Sequence, residues 1–297
     1  MKALIVNADD FGLSASVNRG IIECHTNGIV TSATILTNMP GFEHAVRRAG
    51  ECPNLGVGVH LNVLRGTPLS DPKAISSLVD RSGKFLGSAW SLVRRLARGG
   101  VSGAHLRLEF DAQLDRAIGA GIDVSHVDSE KHLHAMPTIF RAAARSARQK
   151  GVLGIRLPSE TPRLLASLPR DARSLAGRLK SSLIRTLALS NRGELARSGL
   201  LTTEHFFGIG AQERLDAGTL KSLARVLPLG TCEVTCHPGY VDDELLAISR
   251  QVGGYWVNRV RESELAALTD RSVQQEFREN EVALINFRHL PPTGDTR

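Results

Sequence analysis

The sequence alternates short apolar runs with longer segments of helical periodicity, and this alternation restricts the fold more than any other feature. The apolar runs predict seven or eight strands, at residues 4–6, 29–36, 55–61, 122–127, 152–157, 205–209, 230–236 and 282–287. Strands joined through helices pair in parallel. In a chain of 297 residues, this pattern predicts an α/β fold, a (β/α) barrel that is either regular or distorted and incomplete. The sequence contains no Gly-rich dinucleotide or P-loop fingerprint, which argues against an open doubly wound sheet.

We expect a single catalytic domain over residues 1–297, because no long Pro/Ser-rich linker divides the chain. A basic segment at about residues 158–200 interrupts the alternation, and we interpret it as a helical insertion. Residues 157–200 contain eight Lys/Arg and three Asp/Glu, a net charge of +5 out of +7 for the whole chain. Because aromatic residues are not interleaved with these charges, we expect a solvated face or a homodimer contact and no nucleic-acid partner.

Composition argues against a membrane-spanning protein and against a small disulfide-rich one. No apolar run approaches the roughly 18 residues of a membrane span, and no basic stretch followed by an apolar one precedes the first predicted strand. We therefore expect a cytoplasmic protein without a membrane span. The four cysteines are too few for a disulfide scaffold, and none of their spacings is CxxC. We expect free, buried thiols.

Polar side chains follow the predicted strands at their carboxyl ends. They are Asp9, Asp10, His60, His126, Asp128, Glu130, His132, Arg156 and His237. In a β/α barrel these ends converge on one face. Carboxylate and imidazole groups without thiolates indicate a hard or borderline divalent ion in an open catalytic site, and hence metal-activated hydrolysis. The alternative for the pair Asp9 and Asp10 is a turn closed by Gly12 that caps the next helix.

These residues lie in motifs that resemble the YdjC-like family, which includes chitooligosaccharide deacetylases of the ChbG type. The motifs, in chain order, are NADDFG, NGIVTSAT, GVGVHLN, HVDSEKHLH, IRLP, EVTCHPGY, RESELAAL and VALINF. The resemblance covers nearly the whole chain. It implies a (β/α) barrel related to the NodB-like polysaccharide deacetylases. It also implies removal of N-acetyl groups from an amino-sugar saccharide or glycoconjugate with a divalent metal, Mg²⁺ first, with Zn²⁺ or Mn²⁺ as alternatives.

The resemblance also implies roles for individual residues. Asp10 and His60 match metal ligands of the family. By similarity to the wider deacetylase pattern, Asp9 would be the catalytic base, Arg156 would hold it, and His237 would be the acid. Two other functions stay open at this point: another metal-water hydrolase such as a phosphoesterase, and a non-catalytic saccharide-binding protein with an altered metal site.

One position departs from the family pattern HxDSHHHxH. Where the family has a metal-ligating histidine after the serine, this chain has Glu130. As a ligand, Glu130 would favour Mg²⁺ or Mn²⁺ over Zn²⁺, because it adds a second carboxylate. If Glu130 instead turns outward to pair with Lys131 or a neighbouring arginine, His126 or His132 would have to complete the set. We expect His132, His134 and Tyr240 to bind the sugar.

Overall fold

The computed structural model describes residues 1–166, 175–211, 215–252, 257 and 259–291. Within these residues, one parallel sheet contains β1 (Lys2–Phe11), β2 (Ser32–Ile35), β3 (Gly56–Leu61), β4 (Val124–Ser129), β5 (Gly154–Ile155), β6 (His205–Phe207), β7 (Gly230–Cys236) and β8 (Val282–Leu284). The helices are α1 (Ala15–Thr26), α2 (Phe42–Gly50), α3 (Ala89–Ala97), α4 (Gly103–Gly119), α5 (Pro137–Gln149), α6 (Pro162–Ala166), α7 (Leu175–Ser190), α8 (Arg192–Ser198), α9 (Ala217–Val226), α10 (Asp243–Val252), α11 (Val260–Thr269) and α12 (Arg271–Glu279). Short 3₁₀ helices lie at Glu130–Ala135 and Phe287–His289.

The sheet curls into an incomplete barrel. Its strand order is β5-β4-β3-β2-β1-β7-β6, and β8 pairs with β1. The outer strands β5 and β6 do not pair with each other along their length. The chain around them is connected by two isolated parallel bridges, Gly154 with Leu201 and Glu160 with Phe206. This architecture confirms the incomplete form of the (β/α) barrel that the alternating pattern predicts.

Strand β1 is longer than the apolar run predicts. It does not end at Val6 but continues to Phe11, and its pairing with β2 shifts register between Ala8 and Phe11. Within this irregularity Asp10 has φ 68°, a left-handed conformation that aspartate adopts more readily than most residues. In a regular strand Asp9 and Asp10 would point to opposite faces. The irregularity instead allows both carboxylates to reach the same end of the barrel.

The outer face of the sheet is apolar and the inner face is mostly polar, although Ile5 of the inner face packs with Phe287 and Leu290. Inner side chains that are buried and hydrogen-bonded to one another are Asn7, Asp9, Thr34, His60, Asp128, Arg156 and Glu233. Outer side chains in the apolar core are Leu4, Val6, Val59, Val127 and Val234. Because side chains alternate along a strand, the same strands build the polar interior and the core under the helices.

Residues 158–200 include the helices α6, α7 and α8. No helix in the described ranges is both long and apolar enough to cross a membrane.

The four cysteines are buried free thiols, as expected: Cys24, Cys52, Cys232 and Cys236.

Candidate active site

Arg156, directly after β5, lies at the centre of a group of buried carboxylates. Its Nη1 and Nη2 donate to the two carboxylate oxygens of Asp9 at 2.9 and 2.8 Å. The same Nη1 lies 2.5 Å from Asp128 Oδ2, and Nε donates to Glu233 at 2.7 Å. A guanidinium carries five N–H donors in one plane, so a single arginine can orient all three acids. The pair of bonds to Asp9 fixes the orientation of that carboxylate.

The acids around Arg156 differ in charge state. Burial alone would raise the pKa of Asp9, but Arg156, followed by His60 and His237, holds this pKa well below its usual value. Asp9 is therefore ionised at neutral pH. At Glu233, burial outweighs the influence of Arg156 and raises the pKa to about 7. Glu233 is a charged residue within the apolar run of β7, which was a signal that the sequence analysis did not use.

His60, near the end of β3, lies between two carboxylates. Its Nδ1 is 2.7 Å from Asp128 Oδ1, and its Nε2 is 3.9 Å from Asp10 Oδ1. A carboxylate at Nδ1 keeps that nitrogen protonated, which leaves Nε2 as the nitrogen that can bind a cation. Burial lowers the pKa of His60, but Asp128, Asp9 and Asp10 raise it to about 9, so at neutral pH Nε2 carries a proton that it must lose when a cation binds. The Asp128 contact is the kind that typically supports a metal-ligating histidine.

His237 follows β7, and its Nε2 lies 3.8 Å from Asp9 Oδ2. Burial lowers the pKa of His237 to about 4, although Asp9 and Asp10 counteract part of this effect. The imidazole is therefore neutral at pH 7 in the resting site. Its backbone is held on both sides, because its N–H donates to Glu264 at 2.5 Å and its carbonyl accepts from Arg261 at 3.2 Å.

Arg261 and Glu264 are two buried residues of α11 that the sequence analysis did not assign to the site. Nη2 of Arg261 also donates to Asp10 Oδ2 at 2.5 Å, so one helix holds both Asp10 and the backbone of His237. Burial raises the pKa of Glu264 to about 7, although the N–H of His237 lowers it in part. The two residues are three positions apart and so share a helix face. An Arg and a Glu at this spacing are common on exposed helices, so the spacing alone is a weak indication of a functional site.

Glu130 begins the 3₁₀ helix after β4. Its Oε1 lies 2.9 Å from Arg65 Nε, whereas its Oε2 is buried without a hydrogen-bond partner. Burial raises the pKa of Glu130 to about 7; Arg65 and His60 lower this pKa and Asp10 raises it. Glu130, Asp10 and His60 are all buried, and each lies at or just after the carboxyl end of its strand. These three residues offer two carboxylates and one imidazole, a donor set that suits a divalent cation.

A second donor set shares His60. One ligand atom each from Asp9, His60 and Asp128 lies within 4.8 Å of the others, and all three residues are buried. This Asp-His-Asp group could bind a metal ion by its donor types. Arg156, however, contacts both carboxylates at 2.8 and 2.5 Å. A cation at this position would have to replace the guanidinium.

The two histidines of the HxH pair have different surroundings. His134 uses both ring nitrogens, with Nδ1 2.6 Å from Ser129 Oγ and Nε2 3.0 Å from the carbonyl oxygen of Arg156. His132 has φ 55°, and its buried Nδ1 has no hydrogen-bond partner. Its ring meets the edge of Phe206 at 5.8 Å between centroids. His132 therefore keeps a nitrogen for a ligand, whereas the nitrogens of His134 are occupied within the fold.

Tyr240 and His126 have contacts elsewhere. The hydroxyl of Tyr240 donates to Glu23 on α1, and the side chain is partly exposed. His126 stacks on Phe287 at 3.7 Å between centroids, and its Nδ1 lies 2.9 Å from Ser125 Oγ. The structure does not bring Tyr240 into the group around Arg156, and it gives His126 a packing contact.

The chain is similar to known proteins over nearly its whole length. The profile of the family described as YdjC-like protein matches residues 3–279. A carbohydrate deacetylase of Thermoanaerobacter pseudethanolicus is 32% identical over 98% of this chain and 100% of its own length. A chitooligosaccharide deacetylase of Proteus mirabilis is 34% identical over 97% of this chain and 98% of its own. A solved structure from Enterococcus faecalis, to which cleavage of cellobiose phosphate is attributed, has a TM-score of 0.74 at 26% identity and covers 97% of this chain and 98% of its own. This chain is a member of the YdjC-like protein family.

Proposed function

We propose that this protein is a metal-dependent carbohydrate deacetylase that hydrolyses the N-acetyl group of an amino-sugar saccharide or glycoconjugate. The names of the relatives support the reaction class. The observation that carries the proposal is the separation of two adjacent carboxylates. Asp9 is held by Arg156 through two hydrogen bonds, whereas Asp10 faces Nε2 of His60. One carboxylate is thus oriented as a base, and its neighbour, which Arg261 contacts at Oδ2, directs its Oδ1 toward His60 and can bind a cation through that oxygen.

The cation would be held by Asp10, His60 and Glu130. In this set Arg261 contacts one oxygen of Asp10 and Arg65 contacts one oxygen of Glu130, whose other oxygen, Oε2, is buried without a hydrogen-bond partner. In the group that contains Asp9, by contrast, Arg156 contacts both carboxylates and occupies both oxygens of Asp9. Two carboxylates and one imidazole favour Mg²⁺ or Mn²⁺ over Zn²⁺. When bound, a divalent cation supplies Lewis acidity at the acetamide carbonyl and stabilises the negative charge that develops there.

The protein residues move one proton from the attacking water to the departing amine. Asp9, ionised and held by Arg156, accepts this proton as the water oxygen bonds to the carbonyl carbon. His237 is neutral at rest, so it must first take up the proton that Asp9 has accepted. Its Nε2 lies 3.8 Å from Asp9 Oδ2. It then donates this proton to the nitrogen as the C–N bond breaks. The unpaired nitrogen of His132 is available to contact the sugar.

The test is acetate release from N-acetylated chitooligosaccharides by the purified protein. We expect acetate and free amine in equal amounts, loss of turnover after chelation, and recovery with Mg²⁺ or Mn²⁺. Inorganic phosphate release from a sugar phosphate, with no acetate from any acetylated amino sugar, would favour a phosphoesterase instead. Saccharide binding without hydrolysis in the presence of each of these cations would favour a non-catalytic binding protein.

A further inference from the structure

We propose that α7 docks the protein onto an anionic membrane surface without crossing it. Three leucines of this helix point into solvent: Leu175 is 71% exposed, Leu179 is 64% exposed and Leu183 is 63% exposed. They are spaced by four residues, so they form one stripe along the helix. The outward face of a helix on a water-exposed surface is normally polar. This stripe of leucines is the apolar part of the docking surface.

The stripe does not belong to the core of the protein. On the other side of α7, Ser181 and Ala188 are buried, and Ile184 and Leu187 pack against the apolar core. The helix therefore already has an inner face. The leucine stripe lies opposite to it, and among the described residues none covers the three side chains.

The charges of α7 indicate what kind of partner this is. Arg178 and Lys180 are exposed and Arg185 is half-buried, and the helix sequence contains no Asp or Glu. An apolar stripe accompanied by basic side chains is typical of helices that lie in the interface of an anionic bilayer. The leucines enter the acyl boundary while the basic groups contact phosphate headgroups.

A second copy of the chain fits this surface less well. Two α7 helices in a symmetric contact would bring together six basic side chains, with no acidic residue on either helix to pair with them. The stripe also lies on the convex surface of one helix, which matches a flat interface better than a side-chain pocket does.

The position of α7 connects this surface to the candidate active site. The helix packs against Glu130–Ala135, the segment that carries Glu130 and His132. At the end of the helix, Asn191 donates to the carbonyl of Ala135 at 2.7 Å. Docking through α7 would therefore hold the carboxyl end of the barrel next to the lipid surface.

The experiment is flotation of the full-length protein with vesicles of phosphatidylcholine alone or with about 30 mol% phosphatidylglycerol. We expect flotation with the anionic vesicles only, weakened by salt. Leu179→Ser should reduce the partition coefficient about tenfold, and Arg178→Gln should reduce it about fivefold. Leu229→Ser is the matched control, because Leu229 is also 71% exposed but precedes β7 at the opposite end of the sheet. It should leave binding unchanged.

Three outcomes would overturn the proposal. The first is a protein that stays with the aqueous fraction at low salt. The second is flotation that Leu179→Ser leaves unchanged, which would indicate non-specific attraction by net charge. The third is a dimer, measured by light scattering without lipid, that Leu179→Ser dissociates, since the stripe would then be an interface between two copies. All four proteins should have the same thermal midpoint, because each substituted side chain is exposed.

Discussion

The inner and outer faces of the central strands differ in chemistry although alternating residues of the same strands form them. On β1, Leu4 and Val6 point outward into the apolar core, whereas Asn7 and Asp9 belong to the inner hydrogen-bonded group. On β7, Val234 points outward while Glu233 contacts Arg156. The outer face stabilises the fold by excluding water. The inner face holds charges in a buried place, which is unfavourable unless each charge has a partner.

The comparison predicts which substitutions affect activity and which affect the fold. An inner residue that has a reactive role can be replaced by an isosteric one with little loss of stability. An inner residue that neutralises the charges of its neighbours cannot be replaced without a large loss of stability. Replacement of an outer residue should change stability and leave turnover unchanged. The predictions below test these three classes.

The largest expected effect is on turnover. Asp9→Asn should lower kcat by about 10² to 10⁴, because the base is removed while the side-chain shape is kept. It should retain bound cation, whereas Asp10→Asn should lose it. Cation content by equilibrium dialysis, with thermal midpoints as the control for folding, measures both. Equal loss of cation in the two variants would show that the carboxylates do not have separate roles.

Arg156→Leu should destabilise the protein by about 3 to 5 kcal/mol, because Asp9, Asp128 and Glu233 would share a buried space without their counter-charge. Chemical denaturation measures this loss. Arg19→Leu is the control, since Arg19 and its partner Asp242 are both accessible to solvent and the pair should contribute about 1 kcal/mol or less. Similar losses for the two variants would mean that the inner face tolerates unpaired charge.

Leu4→Ala tests the outer face. It removes a fully buried side chain from the apolar core and should cost about 2 to 4 kcal/mol in unfolding free energy. At a temperature where the variant stays folded, its kcat should match that of the wild type. A large drop in kcat without unfolding would show that the two faces are coupled through the strand.

Glu130→Ala and Asp128→Asn distinguish the two donor sets around His60. If Asp10, His60 and Glu130 bind the cation, Glu130→Ala should abolish most cation binding. Asp128→Asn should weaken binding only about 10- to 100-fold, because it removes the support of Nδ1. Titration calorimetry with Mn²⁺ measures both. Unchanged Mn²⁺ affinity in Glu130→Ala would show that Glu130 is not a ligand. The cation would then be bound by the group of Asp9, His60 and Asp128, or by the first set with His132 in place of Glu130.

The smallest effect concerns pH. Burial raises the pKa of Glu264 to about 7, although the N–H of His237 lowers it in part, so the folded state binds a proton more tightly than the unfolded state does. Stability should therefore decrease as pH rises from about 4.5 to about 7. Glu264→Gln, which can still accept from His237, should reduce this decrease by on the order of 1 kcal/mol. Denaturation curves at pH 5 and pH 8 for both proteins test it. An unchanged pH dependence would contradict the raised pKa.

The order of strands and helices could be predicted from the sequence because each element has its own periodicity. The proximity of Asp9, His60, Arg156 and His237 followed from the same pattern, since the carboxyl ends of parallel strands share one face. The family resemblance then added roles that no spacing rule provides. These parts of the prediction depend on local sequence and on one topological rule.

The remaining features depend on contacts between distant residues. Arg261 reaches Asp10 across 251 positions. Its segment RESELAAL belongs to the family resemblance, but helical periodicity alone does not distinguish Arg261 from a solvent-exposed arginine. The occupied nitrogens of His134 and the outward hydroxyl of Tyr240 likewise follow from the exact packing of loops. The extension of β1 through Asp10 could not be read from apolar content, because inner residues of this strand are polar.

The pairing of β1 affects how the protein is made. Residues 2–8 of this first strand pair with β7, and residues 2–4 also pair with β8, so partners of β1 lie more than 220 residues later in the chain. During synthesis, the edge of β1 that pairs with β7 stays without its partner until the ribosome has synthesised the chain through β7. Contacts of such long sequence separation make folding slow. A nascent chain stalled before β7 would expose the apolar residues of β1, and chaperones that bind such segments should associate with it until the last strands emerge.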